Sequence, residues 1–493
     1  MIGLKPRQRN GNGSGGSGIP HHVHLVGAGG VHMSAIGQIL RARGHEISGS
    51  DLAASEFTER LVALGAEIFV GPHNGAHIGD AQLVVATAAA KPDNPELVAA
   101  RARGVPVMVR AEMVQRLIAD RDVVAIAGTH GKTTTTAMVS LMAVRADLDP
   151  MMLLGGDSRD LGNINVRDGA GRLAIVEADE YAAAFLEYAP RIALITNIEA
   201  DHLDYYGTED RLRDAFRQFA ERVRPEGTLI VCADSPAALA IGEARRAAGA
   251  RVERYALDNE VAEWRGTRVR GNDRGGLDAT VHMNGVELGR LSLTVAGRHN
   301  LLNALGALAV AMRAGVDFHR AAAAAAEFTG ARRRFEIVGE VPRPGGAPIT
   351  IVDDYAHHPT EVRATLLAAR QRFPGRRLVA CFQPHTYSRS TYLLDAFRTC
   401  FEGLDALYVL RTYEARESSD RGMNAQALAA EIERPRPQYV DSFEEATARI
   451  TADLRPGDVC FTLGAGDVTT LGPMIIERLG ADGLRPDGSG GRR

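Results

Sequence analysis

Residues 123–140 read VVAIAGTHGKTTTTAMVS, and the whole chain is best understood outward from them. Val123 to Ile126 is a run of apolar residues that predicts a buried strand; it breaks at Gly128, and a helix-compatible segment follows Lys132. Strand, glycine turn and helix start form a phosphate cradle, in which backbone N–H groups and the helix dipole face an anion. Gly128 and Gly131 let the backbone approach oxygen atoms, Lys132 adds a point charge, and the Thr133 hydroxyl suits Mg²⁺. Ile126 stands where a general P-loop has its first glycine, so an ordinary GTPase or kinase is not expected. The plainer alternative is a strand–helix turn with an incidental lysine. Composition argues against it, because Lys5, Lys91 and Lys132 are the only lysines among 57 basic residues. Where arginine serves almost everywhere, a lysine after Gly131 implies a need for a compact ammonium.

The 493 residues suggest three domains at about 150 residues each. The expected divisions are a flexible Gly/Ser leader at 1–20, then 21–120, 121–335 and 336–493. A net charge of −4 argues against a general affinity for nucleic acid or acidic membranes. Cys232, Cys381, Cys400 and Cys460 are scattered, which fits a reducing compartment better than a disulfide framework. No apolar run reaches membrane-spanning length and no signal-peptide core is present, so a cytoplasmic protein is expected.

From His22, HVHLVGAGGVHMSAIGQILRARGHEISGSD predicts strand, glycine turn, helix and strand, with Asp51 closing the second strand. Gly27, Gly29 and Gly30 occupy the turn, and His32 takes the third-glycine position of a dinucleotide fingerprint. That leaves open a diphosphate site, a nicotinamide site or a turn without ligand. A strand is expected at Leu83–Ala89, before a Pro-containing turn. In the second domain a strand is expected to end at Glu177, within reach of a cation on the cradle. Another strand, Ile192–Thr196, leads to Asn197, Glu199, Asp201, His202 and Asp204, where His202 suits a second metal ion. Asn300 is expected to cap a helix, with Asn303 one turn on, and the pair could present amides to a base edge. The cluster Arg332-Arg333-Arg334 is either a solvated linker or a clamp on a transferring phosphate. In the third domain Ile349–Val352, Leu378–Phe382, Leu407–Leu410 and Val459–Leu463 each end in a polar loop, so these loops should line one edge of a parallel sheet.

Taken together, GAGGVHMSAIG, SGSD, KPDNP, RAEM, GTHGKTTT, EADE, TNIEADHLD, GRHNLLNALGA, ARRRFE, DDYAHHPTE, FQPHTYSR and GAGD resemble the Mur ligase family, from about residue 22 to 470. The resemblance implies an α/β, three-domain architecture: a Rossmann-like UDP-sugar domain, a central P-loop ATPase domain and a C-terminal Rossmann-like domain. It implies an ATP- and Mg²⁺-dependent ligase joining L-alanine to UDP-N-acetylmuramate, acting as a monomer or weak homodimer. It further implies that Gly128, Thr129, His130, Gly131, Lys132, Thr133 and Thr134 hold the phosphates. Thr133 and Glu177 would serve one Mg²⁺ and His202 the other. His299, Asn300 and Asn303 would meet adenine, Arg333 the γ-phosphate and Asp353 the ribose. His357, His358, His385 and Arg389 would surround the amino acid and the lactyl carboxylate, and Gly27, Gly29, Gly30 and Asp51, with His202 and Arg389, the UDP-sugar.

Against the family pattern, His32 replaces a common glycine, EADEYAAAFL lacks the acid of a Ser-Asp pair, and Thr386 stands where arginine is frequent. Several family members resemble one another in using a carbamylated lysine, and no lysine follows Lys132. That favours the L-alanine-adding members. The competing readings are the tripeptide-adding members, a dinucleotide oxidoreductase resting on Gly27–Gly30 alone, and a non-catalytic nucleotide-binding regulator.

Overall fold

The computed structural model describes residues 18–415 and 417–483, and the statements below concern those residues. All of the leader 1–20 except its last three residues lies outside them, as does Arg416. The chain forms two compact units. The first runs to Thr267 and takes in Thr280–Leu291 and Leu302–Phe328; the second comprises Arg268–Ala279, Ser292–Leu301 and the chain from Thr329.

The first unit opens with β1 (His22–Val26), α1 (Val31–Ala42), β2 (Glu46–Asp51), α2 (Glu56–Ala63), β3 (Glu67–Val70), β4 (Leu83–Ala86), α3 (Pro95–Ala102), β5 (Val107–Val109) and α4 (Arg110–Ile118). The strands form a parallel sheet in the order β3-β2-β1-β4-β5. Central β1 is buried along its whole length, as a parallel strand covered on both faces must be. The strand order reverses between β1 and β4, which opens a crevice at their carboxyl ends. β4 stops at Ala86 rather than Ala89 because Ala90 N already bonds Thr87 O in a turn.

A second sheet follows, built from β6 (Asp122–Ala127), β7 (Met151–Ser158), β8 (Ile164–Asp168), β9 (Leu173–Glu177), β10 (Ile192–Ile195), β11 (Thr228–Cys232), β12 (Val252–Ala256), β13 (Trp264–Gly271), β14 (Leu277–Met283) and β15 (Val286–Ser292). Its order is β15-β14-β13-β12-β11-β10-β6-β9-β7-β8, so β6 lies between β10 and β9. The helices associated with it are α5 (Lys132–Arg145), α6 (Leu203–Tyr206), α7 (Glu209–Glu221), α8 (Pro236–Ala247), α9 (Arg298–Arg313) and α10 (Phe318–Glu327). Phe185 stacks on Phe219 at 4.8 Å and meets Phe216 edge-on at 5.1 Å, all three fully buried. Burying one such ring contributes about 1.5–3 kcal/mol.

Helix α9 corrects the sequence expectation, because Asn300 is not its cap. The helix begins at Arg298; Asn300 N bonds Gly297 O (3.1 Å), and the Asn300 side chain donates Nδ2 to Ala296 O (2.7 Å). An N-cap side chain must accept from the first turn, and this one donates backward instead.

The second unit carries β16 (Glu336–Arg343), β17 (Gly346–Asp354), α11 (Pro359–Arg372), β18 (Leu378–Phe382), α12 (Tyr387–Tyr392), α13 (Leu394–Phe397), β19 (Ala406–Leu410), α14 (Ala425–Glu431), β20 (Gln438–Val440), α15 (Phe443–Asp453), β21 (Val459–Leu463) and α16 (Leu471–Gly483). The sheet order is β16-β17-β21-β18-β19-β20, with only β16 antiparallel to its neighbour. The four strands read from sequence are therefore adjacent and parallel, and their polar loops share one edge as expected. Among the described residues no helix is long and apolar enough to cross a membrane, and the four cysteines are free and buried.

Candidate active site

Strand β6 delivers the chain into loop 128–131, where Gly128 has φ +138° and Gly131 φ +82°. A Cβ on Gly128 would lie 1.9 Å from Thr196 Oγ1, and one on Gly131 2.5 Å from Asn303 Oδ1. Neither site has room for a side chain, and neither backbone conformation suits one. The loop is fastened to the end of β10. Thr129 N donates to Asn197 O (2.9 Å), His130 N to Asn197 Oδ1 (2.8 Å), and Thr196 Oγ1 to His130 O (2.6 Å). The first bond of α5 runs from Thr135 N to Gly131 O (2.9 Å), so the N–H groups of Lys132, Thr133 and Thr134 remain directed at the loop mouth. We expect Gly128→Ala to raise the KM for ATP at least about tenfold, from the roughly 1–3 kcal/mol of strain placed in the loop. An unchanged ATP KM in steady-state assays would rule out this close-packed geometry as a requirement.

Lys132 lies over its own loop. Its Nζ donates to Gly128 O (2.5 Å) and Thr129 O (3.1 Å) and is 2.8 Å from both carboxylate oxygens of Glu180. Burial opposes the lysine charge, but Glu180 and Asp179 outweigh burial and hold its pKa above the ordinary value. Thr133 Oγ1 donates to Glu177 Oε1 (3.0 Å), and Gly155 N to Glu177 Oε2 (2.9 Å). Burial pushes the pKa of Glu177 and of Glu180 up, with Lys132 opposing it in each case. Asp179 goes the other way: burial would raise it, and Arg110, Lys132 and neighbouring histidines bring it below the ordinary value. Three acids thus crowd a buried pocket of charge. Thr133 and Glu177 offer adjacent hard oxygens, 3.0 Å apart, a donor set that fits a hard divalent cation. His202, held at φ +53°, has Nε2 3.7 Å from Glu180 Oε1 and sits edge-on to Tyr181 at 5.2 Å. It joins the cluster through Glu180. Within EADEYAAAFL the chain turns through Ala182 and Ala183 at φ 54° and 56°.

The turn after β1 brings together the residues expected there. Gly29 N donates to Asp51 Oδ2 (2.8 Å), and a Cβ on Gly27 would meet Thr87 Cγ2 at 2.6 Å. Asp51 stands at the carboxyl end of β2, on the crevice side of the sheet.

In the second unit Arg333, at φ +59°, donates Nε to Asp353 Oδ2 (3.0 Å) and Nη2 to Gly464 O (2.7 Å). Asp353 also accepts from Thr462 Oγ1 (2.6 Å) and Thr469 Oγ1 (2.9 Å). Arg333 is therefore anchored in the domain rather than being part of a solvated linker. Both Arg333 and Arg334 lie over the Tyr355 ring, at 5.1 and 5.0 Å. His357 meets His385 at 5.5 Å, His385 stacks on Tyr413, and Arg389 Nη1 donates to His385 Nδ1 (2.9 Å). The ring of His358 is engaged elsewhere: it caps α11, its Nδ1 accepting from Thr360 N (3.2 Å). His299 is enclosed beside Gly297, and burial with Arg334 nearby lowers its pKa to about 4. His299 and Asn300 belong to the second unit, whereas Asn303 lies in the first, against Gly131. The structure thus groups His357, His385 and Arg389, and separately Arg333 and Asp353. Asp179, Glu180 and Arg110 had no role in the sequence reading, although EADE and RAEM contain them. A carboxylate pair just past a strand that ends in Glu177 was the available signal.

Profiles of the Mur ligase family match the chain in three stretches. They are the Mur ligase family catalytic domain at residues 22–122, the Mur ligase middle domain at 126–311, and the Mur ligase glutamate ligase domain at 333–466. The chain is 42% identical over 463 residues to the UDP-N-acetylmuramate–L-alanine ligase of Symbiobacterium thermophilum, covering 93% of this chain and 94% of that one. It is 42% identical over 472 residues to the enzyme of that name from Mycolicibacterium gilvum, covering 93% and 96%. Among solved structures, UDP-N-acetylmuramate-alanine ligase from Thermotoga maritima superposes with a TM-score of 0.79 at 28% identity, covering 94% of this chain and 99% of that one. A murein peptide ligase from Psychrobacter arcticus shares the fold, with a TM-score of 0.71 at 24% identity and coverage of 94% and 99%.

Proposed function

The chain belongs to the Mur ligase family, and from that premise we propose that it is an ADP-forming ligase joining L-alanine to the lactyl carboxylate of UDP-N-acetylmuramate, in peptidoglycan precursor synthesis. One observation carries the chemical part of this reading. The cradle lysine, the Thr133–Glu177 pair and Glu180 form a single buried cluster, in a chain with no later lysine.

In the reaction the lactyl carboxylate attacks the γ-phosphate of ATP, giving an acyl phosphate and ADP. The amine of L-alanine then attacks the acyl carbon, and phosphate leaves. The first step brings two anions together, so its barrier depends on fixed positive charge and N–H donors placed before the reaction starts. In our reading Lys132 leaves Glu180 for the phosphates, and the N–H groups of Lys132, Thr133 and Thr134 receive phosphate oxygens at the start of α5. Gly128, Thr129, His130 and Gly131 shape the loop around them. Thr133 and Glu177 would hold one Mg²⁺ and His202 a second; bound there, the ions would neutralise charge on the transferring phosphoryl group. Arg333, kept in place by Asp353, is the proposed γ-phosphate contact, and Asp353 the ribose contact. His299, Asn300 and Asn303 are assigned to adenine. His357, His358, His385 and Arg389 are assigned to the amino acid and the lactyl carboxylate, with His358 acting also as a helix cap. Gly27, Gly29, Gly30 and Asp51 are assigned to the UDP-sugar. We place these functions in domains 21–120, 121–335 and 336–493, and the reaction in the cytoplasm.

The test is to mix the protein with ATP, Mg²⁺ and UDP-N-acetylmuramate, add either L-alanine or the tripeptide, and follow phosphate release and product mass. A product heavier by one alanine residue, without a tripeptide adduct, is expected. Tripeptide addition alone would overturn the amine assignment, and phosphate release with neither amine consumed would overturn the ligase assignment.

A further inference from the structure

The glycine turn that opens α1 has already used its own donors. Gly27 N and Ala28 N donate to Ser50 O (2.9 Å each), Gly29 N to Asp51 Oδ2 (2.8 Å) and Gly30 N to Gly27 O (3.1 Å). The first bond of α1 then runs from Ser34 N to Gly30 O (2.8 Å), leaving the N–H groups of Val31, His32 and Met33 without intrahelical partners. A ligand at this crevice therefore meets the first turn of α1 and the side chains around it.

His32 is one of those side chains. Arg110 Nη1 lies 2.8 Å from His32 Nδ1. A guanidinium can only donate, so Nδ1 accepts, and the neutral ring must carry its hydrogen on Nε2. Burial, with Arg110 adding to it, lowers the ring's pKa to about 3, so this form persists at neutral pH. Asp179 accepts from Arg110 Nη2 at 2.8 Å and so fixes the arginine from its other side. His32 Nε2 is buried and has no partner. A buried donor left unpaired forfeits its hydration without a replacement hydrogen bond.

A second, independent observation lies at the same turn. Asn165 on β8 is fully buried and donates Nδ2 to Val31 O at 3.0 Å. Val31 O can only accept, so the amide orientation is forced, and its Oδ1 is left buried without a partner. One unsatisfied donor and one unsatisfied acceptor thus stand at the first turn of a helix whose own N–H groups are unused.

We propose that His32 is a recognition residue for the sugar nucleotide, its Nε2–H donating to an oxygen of that ligand while Asn165 Oδ1 takes a hydroxyl or amide hydrogen from it. An N-acetylated sugar nucleotide carries both kinds of group, phosphoryl and carbonyl oxygens beside hydroxyl and amide hydrogens. The assignment rests on the function proposed above. Arg110 and Asp179 are positioning residues that hold the His32 tautomer.

The test compares wild-type protein with His32→Gly, which removes the ring, and with His32→Gln, whose amide can both accept from Arg110 and donate onward. Calorimetry measures the Kd for UDP-N-acetylmuramate and for ATP, and steady-state assays measure kcat and each KM. We expect His32→Gly to weaken UDP-N-acetylmuramate binding about tenfold, the usual scale for one lost hydrogen bond, with the ATP Kd and kcat within about twofold. His32→Gln is expected to recover most of the loss. Unchanged UDP-N-acetylmuramate binding in His32→Gly would overturn the proposal. An equal loss for ATP and L-alanine would also overturn it, since that pattern marks a structural role. A wild-type protein that binds UDP-N-acetylmuramate but forms no alanyl product would sink the ligase reading, yet the Kd comparison would still decide the role of His32. One that binds no sugar nucleotide would overturn both.

Discussion

Lys132→Ala is expected to abolish ADP formation, lowering kcat at least about 10³-fold, with far-UV circular dichroism unchanged. The ammonium is the only lysine charge in the cradle, and 2.8 Å contacts to Glu180 hold it ready beside the N–H groups of α5. The fold should survive because Glu180 already has a raised pKa from burial and can take up a proton once its partner is gone. Lys132→Arg should not rescue the rate, since a planar fork cannot sit where a compact ammonium meets two loop carbonyls and a carboxylate. Near-wild-type turnover in Lys132→Ala, followed by a coupled ADP assay, would refute the role assigned to the cradle.

Glu96→Ala should produce the largest loss of stability, about 3–5 kcal/mol, through the buried partners it abandons. Glu96 is fully buried in the first turn of α3, where its oxygens accept from Ser50 Oγ (2.6 Å) and lie 2.9, 3.3 and 3.4 Å from ring nitrogens of His77, His73 and His24. One carboxylate therefore ties α3 to β1, β2 and the segment after β3. Burial alone would raise its pKa, but the hydrogen bonds from His24, Ser50 and His77 outweigh that and lower it from 4.5 to about 2. The folded value lies below the unfolded one, so the stabilisation is complete above pH 4.5 and is lost as pH falls toward 2. Glu96→Gln should flatten this acid limb while costing less at neutral pH than alanine does. Urea unfolding followed through the single tryptophan, Trp264, reports on the same unit. An Ala variant with an unchanged midpoint would remove Glu96 as a tie point.

How much of this could be read without coordinates differs from one residue to the next. The strands Leu378–Phe382 and Val459–Leu463 occur where the apolar runs placed them, and β9 ends at Glu177 as expected. A parallel strand buried on both faces writes its burial directly into consecutive residues. The cradle was equally plain, because glycine, lysine and threonine at fixed spacing encode a local backbone shape and a local charge. Asn300 misled, since an amide before an apolar run signals a cap even when its side chain bonds backward to Ala296. His358 carried a ligand-like signal while also serving as the cap of α11.

By itself the chain determined its α/β class, the strand ends that carry polar loops, and the identity of the phosphate-holding segment, because each of these depends on neighbours in sequence. Only the tertiary structure decided that Lys132 rests on Glu180, that Asn303 closes against Gly131, and that Arg110 sets the tautomer of His32. Those pairings join residues 48 to 172 positions apart (Lys132 to Glu180, Gly131 to Asn303), and the first of them exists because sheet order places β9 beside β6 and leaves Glu180 beyond the end of β9. Local periodicity carries no record of which strands become neighbours, so the partners of these charges appear only when the sheets have formed.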